Sequence, residues 1–285
     1  MAQRTKYNIQ QLRDYSSCFL RNEVGRWYNN DFSSLRIKID RYDSIQFEKG
    51  GTYLNYLKRV YRILERYYPN QYVYKNEFIK QWLLKEIGLA DSLVFSEFRI
   101  GKAVADLTMV NGVSRVFEIK TLLDKTTRLT NQLEQYQKLF NEIYLVIPAV
   151  KIDAYLKWDP SIGIIAYEQS TASFKLVRTP IQRIDIDVHS LMQVLHTHEY
   201  LGIVMQHFEK LPKMNDFNKF QICKQMIEQL PKETLNQEFL KAMKTRKIHN
   251  AFSLQDAQLN QVCLAMNYSP LQKRQLLNNL NTTIS

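Results

Sequence analysis

The sequence predicts an α/β fold: a core of helix, three-stranded antiparallel meander, helix and strand, with helical extensions at both ends. Three observations predict it. The hydrophobic pattern is helical over residues 7–68 with one irregular break, turns β-rich from Leu93, and is helical again beyond Arg183. Two short turn signals, Gly101-Lys102 and Asn111-Gly112, cut the β-rich stretch into three pieces. A helix-patterned segment then precedes the apolar run Ile143–Ile147, so that strand returns by a crossover and pairs parallel with its neighbour.

The chain has 285 residues, 45% of them hydrophobic, enough for one core with additions, and its plentiful aromatics exclude a disordered chain. No apolar run approaches the roughly 18 residues needed to span a bilayer, and the first residues lack the apolar stretch of a secretory signal. A cytoplasmic protein without a membrane partner is expected. Cys18, Cys223 and Cys263 are odd in number and far apart, which suggests neither a disulfide framework nor a zinc knuckle. A net charge of +11 favours a polyanionic partner, and +6 of it falls in residues 1–68, with 13 Lys and Arg against 7 Asp and Glu.

Taken in order, residues 1–69 read as a basic helical extension. Its clearest helix runs from Thr52 to Tyr67, with Tyr53, Leu57, Val60, Tyr61 and Leu64 on one stripe and most of the cations off it. Those tyrosines and cations suit single-stranded nucleic acid, although packing on a core is the simpler reading of the tyrosines. Residues 70–180 form the core. A helix over Lys75–Ile87 is closed by Gly88, and strands follow at Leu93–Ile100, Val104–Val110 and Ser114–Thr121. A helix over Thr127–Asn141 carries Leu129, Leu133, Tyr136 and Phe140 on one face. After the strand Ile143–Ile147 come a short helix at Lys151–Trp158 and strands at Ile162–Tyr167 and Ser173–Val177. Residues 181–285 are helical, punctuated by Pro212, Pro231 and Pro270, and Asn281–Ser285 is polar enough to fray.

The chemistry is concentrated on the meander. Glu118 and Lys120 are two apart on a strand, so a carboxylate and an ammonium share one face while Phe117 and Ile119 point the other way. The Ile119 carbonyl between them is a further oxygen of the kind hard cations accept. Asp106 lies on the preceding strand. A plain two-residue Asn111-Gly112 turn would pair it with Phe117 and put the two carboxylates on opposite faces, so a shared site requires an odd-length loop or a β-bulge near Val110–Val113.

Asp106, a hairpin-containing spacer and Glu118-Ile119-Lys120 resemble the motif of the PD-(D/E)XK nuclease superfamily, whose core is also helix, three-stranded meander, helix, strand. Gln132 and Tyr136 are similar to the Gln-x-x-x-Tyr helix of its RecB-like branch, and Asp124, Arg128 and Leu129 resemble a little-characterised bacterial group within it. That group often has Arg before the motif aspartate, where this chain has Ala105. The resemblance covers residues 75–150. It implies a restriction-endonuclease-like core and a Mg²⁺- or Mn²⁺-dependent nuclease acting on nucleic acid, DNA before RNA. Asp106, Glu118, the Ile119 carbonyl and Glu77 would hold metal, Lys120 would serve the attacking water, and Gln132 and Tyr136 would assist.

Other readings compete. Asp106, Glu118 and Lys120 can form a surface ion pair, Glu77 can be a solvated helix residue, and Glu97 is a rival carboxylate. Gln132 and Tyr136 can be helix packing. His196 and His198, with His189 nearby, invite a zinc site, but helical spacing sets the pair on different faces. Lys241, Lys244, Arg246 and Lys247 form a basic cluster most simply read as a solvated helical face. Against the nuclease stand a nucleic-acid-binding module that does not cut and a protein-interaction scaffold.

Overall fold

The computed structural model describes residues 6–47, 50–87 and 92–284. Packing divides the chain into two units, Met1–Gly88 with His249–Ser285, and Leu89–Ile248. These limits differ from the breaks read from sequence at residues 69/70 and 180/181. Pro69 does end a helix, but the helix that follows packs into the first unit, and the helical tail is divided between both. Proline marks where an element stops, whereas long-range packing decides which core it joins.

In the first unit the helix Tyr53–Tyr67 is capped by Thr52, whose side chain accepts the Asn55 N–H. Its expected stripe is buried, and Leu54, Tyr56 and Ile63 are buried beside it. Packing therefore accounts for Tyr53, Tyr56 and Tyr61, which leaves them no ring face for a base. Arg59 pairs with the buried Asp43 and Lys58 with Asp256. The next helix begins earlier than expected, at Gln71 with Asn70 as its cap, and continues from Phe78 into a π-helix, Ile79–Ile87. Gly88, expected to close it, lies outside the described residues. The tail, expected to fray, makes backbone contacts at its last described residues. Thr283 bridges Thr52, and the Ile284 N–H donates to the Gly51 carbonyl at 2.8 Å, so paired backbone outweighs polar side chains. Ser285 lies outside the described residues.

The second unit is a mixed α/β layer built on a six-stranded sheet. The strands are β1 (Leu93–Ile100), β2 (Ala103–Val110), β3 (Ser114–Ile119), β4 (Glu142–Pro148), β5 (Gly163–Glu168) and β6 (Ser173–Arg178). They lie in sequence order across the sheet. The pairs β1/β2, β2/β3 and β5/β6 are antiparallel, while β3/β4 and β4/β5 are parallel. The crossover from β3 to β4 carries the helix Leu129–Gln137, and that from β4 to β5 carries the short helix Ile152–Leu156. Leu129, Leu133, Tyr136 and Phe140 are buried in the same cluster as Val116, Ile143 and Leu145, which fixes this helix against the sheet. Helices Val188–Val194, Thr197–His207, Lys219–Ile227 and Lys232–Thr245 complete the same core, with Phe239 edge-on to Phe140. All three cysteines are free and buried. No helix among the described residues is long and apolar enough to cross a membrane.

Candidate functional site

The loop between β2 and β3 decides whether the carboxylates meet. Val110 pairs with Ser114, Met109 with Arg115, Thr108 with Val116 and Leu107 with Phe117. The loop is thus Asn111-Gly112-Val113, the odd length a shared site requires. Gly112 takes φ +90°, which a side chain would strain, and the Asn111 N–H donates to the Val113 carbonyl. Arg115 braces the turn by bonding Asn111 Oδ1 and Glu142, the latter at 2.7 Å. Carried one pair further, the register sets Asp106 opposite Glu118. Here a side chain takes over from the ladder: the Ile119 N–H, which a continued ladder would direct to the β2 backbone, donates to Asp106 Oδ2 at 2.8 Å.

Glu118 and Lys120 share a face, as strand geometry requires, and Lys120 Nζ donates to Glu118 Oε1 at 2.7 Å. The crossover helix closes the group. Gln132 Oε1 accepts from Lys120 Nζ at 3.2 Å, and the Tyr136 hydroxyl donates to Glu118 Oε2 at 2.7 Å. Spaced one turn apart, Gln132 and Tyr136 also approach each other at 3.5 Å. The Val104 carbonyl, 3.1 Å from the Tyr136 hydroxyl, ties that helix to β2, a backbone role that the sequence does not announce.

Asp106, Glu118 and Lys120 are 8%, 2% and 7% exposed, which rules out the surface ion pair. Burying charges costs several kcal/mol per ion unless they are paired and hydrogen-bonded. Two carboxylates thus lie close together in a poorly solvated volume. The consequence appears at Glu118, whose pKa is raised by burial and then by the Asp106 charge, against the opposing pull of Lys120 and the Tyr136 hydrogen bond. Tyr136 is raised as well, first by burial and then by Glu118. Beyond Lys120 the chain turns where Asp124 Oδ2 accepts both the N–H and the hydroxyl of Thr121 at 2.8 Å, while Leu129 is buried and Arg128 is exposed.

Glu77 belongs to the first unit, where it is 1% exposed and so is not the solvated helix residue that competed with a metal role. It accepts from the Tyr61 hydroxyl at 2.8 Å and pairs with Lys80 at 3.3 Å. Glu97 falls on the line of Asp106 and Glu118 by register, yet it takes φ +56° and is exposed beside His196 and Arg246. The expectation for the histidines is corrected. His196 is the residue before the helix and not part of it, so helical spacing does not apply, and its ring centre lies 5.7 Å from that of His198. Ligand atoms of His196, His198 and Glu199 lie within 4.8 Å of one another. The Glu199 carboxylate is nonetheless gripped by Arg246 at 2.8 and 2.7 Å and by the His196 N–H at 2.6 Å, which makes it an ion-pair anchor. His189 bonds Gln193. The basic cluster also divides: Arg246 is committed to this ion pair, whereas Lys241 and Lys244 stand on the exposed helix face.

A family model described as bacteriophage P4 protein cII matches residues 66–264, more than half of the chain. The chain belongs to the bacteriophage P4 protein cII family. The matched stretch contains every residue of the Asp106, Glu118 and Lys120 group and of the crossover helix that closes it. Among relatives, this cII-family chain is 26% identical over 103 residues to Protein cII of Enterobacteria phage P4, an alignment that takes in 34% of the chain and 39% of the phage protein. The chain thus spans well under two thirds of the relative it matches. A solved structure, a protein of unknown function from Silicibacter pomeroyi, overlaps 49% of the chain and 93% of its own length at 12% identity and a TM-score of 0.32, a level from which no common fold is inferred.

Proposed function

We propose that the second unit of this cII-family protein is a divalent-metal-dependent nuclease of the PD-(D/E)XK kind, hydrolysing phosphodiester bonds of nucleic acid, DNA before RNA. The observation that carries the reading is the register of β2 and β3, which brings Asp106 opposite Glu118 with Lys120 bonded to the latter. The chain order of helix, meander, crossover helix and parallel strand supports a restriction-endonuclease-like core.

The residues fit Mg²⁺ or Mn²⁺. Two carboxylates and the Ile119 carbonyl are oxygen donors suited to a hard cation, which would stabilise the ionised Glu118 that burial and then the Asp106 charge disfavour. Such a cation would polarise a phosphoryl oxygen and lower the pKa of an attacking water. Lys120, which bonds Glu118, would position that water or offset charge on the pentacovalent phosphorus. Gln132 and Tyr136 orient Lys120 and Glu118 from behind. The proposal is confined to the second unit.

The test is incubation of the pure protein with plasmid, single-stranded DNA and RNA in Mg²⁺, Mn²⁺ or EDTA. Cleavage in metal and none in EDTA is the expected result. Salt-sensitive binding without cleavage in any metal would replace the nuclease with a binding module on the same fold.

A further inference from the structure

Three depressions on the second unit adjoin one another and lead away from the proposed catalytic group. The first, of about 530 Å³, lies along the crossover helix and is bordered by Gln132, which bonds Lys120, and by Lys102, Arg128, Asn131 and Gln135. The second, of about 600 Å³, meets the first at Lys102 and continues past Arg99 and Gln193 to His196. The third, of about 470 Å³, shares His196 and Arg246 with the second and adds His198 and Lys247. Each volume is in the range of about 300–1,000 Å³ that takes a small ligand, hence a nucleotide or two.

The joint between the first two is the β1–β2 turn. Gly101 there takes φ +54°, and a side chain at that position would meet Gln135 Oε1 at 3.3 Å and Gln193 Oε1 at 3.5 Å. Two glutamine amides therefore stand beside the turn tip, Gln135 bordering the first depression and Gln193 the second, and Lys102, which borders both, follows Gly101. With Arg246 and Glu199 neutralising each other, Arg99, Lys102, Arg128 and Lys247 border the three depressions against Glu97 and Glu134. The lining combines cations with amides and imidazoles, groups that suit phosphates and base edges respectively.

We infer that these depressions form a track for a single strand of nucleic acid running from the catalytic group round the β1–β2 turn to His196 and His198. This rests on the nuclease reading for its starting point. A duplex, stiff over about 150 base pairs, does not follow a path round a turn tip, whereas a single strand rotates freely at each nucleotide. Arg99 and Lys102 each take a backbone phosphate, the glutamine amides address the bases between them, and the two imidazoles hold the far end.

The test uses the full chain carrying Asp106→Asn, in EDTA, so that binding is read without cleavage and the acceptor for the Ile119 N–H is kept. Fluorescence anisotropy of labelled oligothymidylates against salt gives affinity and slope. Adding Arg99→Ala and Lys102→Ala, both at exposed positions, is expected to weaken single-strand binding by about tenfold or more and to lower the log–log salt slope by about 1.4, at about 0.7 per phosphate. His196→Ala with His198→Ala is expected to weaken long oligonucleotides and spare short ones. Unchanged affinity and slope in the arginine-lysine variant, or the same losses with a duplex bound as tightly as the single strand, would overturn the track. If the wild type cuts nothing but this variant still loses single-strand binding, the nuclease reading fails and the track stands. If the wild type cuts and the variant binds as before, only the track fails.

Discussion

Asp106 accepts the backbone N–H of Ile119 at 2.8 Å, so a side chain on β2 replaces the ladder bond at the point where β3 delivers Glu118 and Lys120. The bond holds one Asp106 oxygen on β3 and fixes the spacing of the two carboxylates. Asp106 is thus both a structural pin for the hairpin and a candidate ligand. Substitutions there must be judged by fold as well as by activity, and Asp106→Asn, which keeps the acceptor, is the cleaner probe beside Asp106→Ala.

Tyr136→Phe removes the hydroxyl that donates to Glu118 and leaves a buried carboxylate oxygen without that donor. The expected loss is about 1–3 kcal/mol of unfolding free energy. An outer partner of a metal ligand is worth about 10–100-fold in metal affinity, so the Mg²⁺ needed for half-maximal thermal stabilisation should rise by that factor. A variant with wild-type stability and metal dependence would show that the hydroxyl holds nothing in place.

Glu118→Gln tests the crowding of charge. Because the folded-state pKa of Glu118 is raised above its unfolded value near 4.5, the folded state binds the proton more tightly. The metal-free protein therefore loses stability as pH rises from about 4.5 through the raised folded pKa, and regains it on acidification. Removing the charge should flatten this dependence and raise the metal-free Tm at pH 7. It should also abolish the metal-induced gain, which in the wild type is about 2.7 kcal/mol at a hundredfold excess over Kd. Urea melts over pH 4.5–8, with and without Mg²⁺, give both quantities.

Arg246→Met tests the Glu199 anchor in the same unit. Burial alone would raise the Glu199 carboxyl, but hydrogen bonds from Arg246 and from the His196 N–H outweigh it and hold the pKa below the usual value. A depressed carboxyl contributes stability above about pH 4.5, lost as pH falls through the folded value. Stranding Glu199 should cost about 3 kcal/mol near neutral pH and weaken the acid dependence, measurable by denaturant melts at pH 3–7.

The meander and the crossover strand were legible because each depends on local signals. Gly101 and Gly112 both take positive φ, and Ile143–Ile147 is a buried apolar run. The face shared by Glu118 and Lys120 follows from strand geometry alone. The partner of Asp106 did not, since one residue of loop length reverses a strand's faces and Asn111-Gly112 suits both two- and three-residue turns. Gln132 and Tyr136 were legible as a pair one turn apart, but their bonds to Lys120 and Glu118 depend on how the helix docks. The division of the helical tail was illegible for a deeper reason: helices at 232–245 and 270–280 have similar patterns, and nothing local records which core each one joins. Helical spacing does not govern the histidine pair, because His196 stands one residue before the helix begins.

Cleavage by matched preparations of wild type, Asp106→Asn and Lys120→Ala, over plasmid and single-stranded DNA in Mg²⁺, with thermal melts confirming that each is folded, bears most directly on the site. The account predicts metal-dependent cleavage by the wild type and a loss of at least about a hundredfold in both variants. Undiminished cleavage by either folded variant would contradict it.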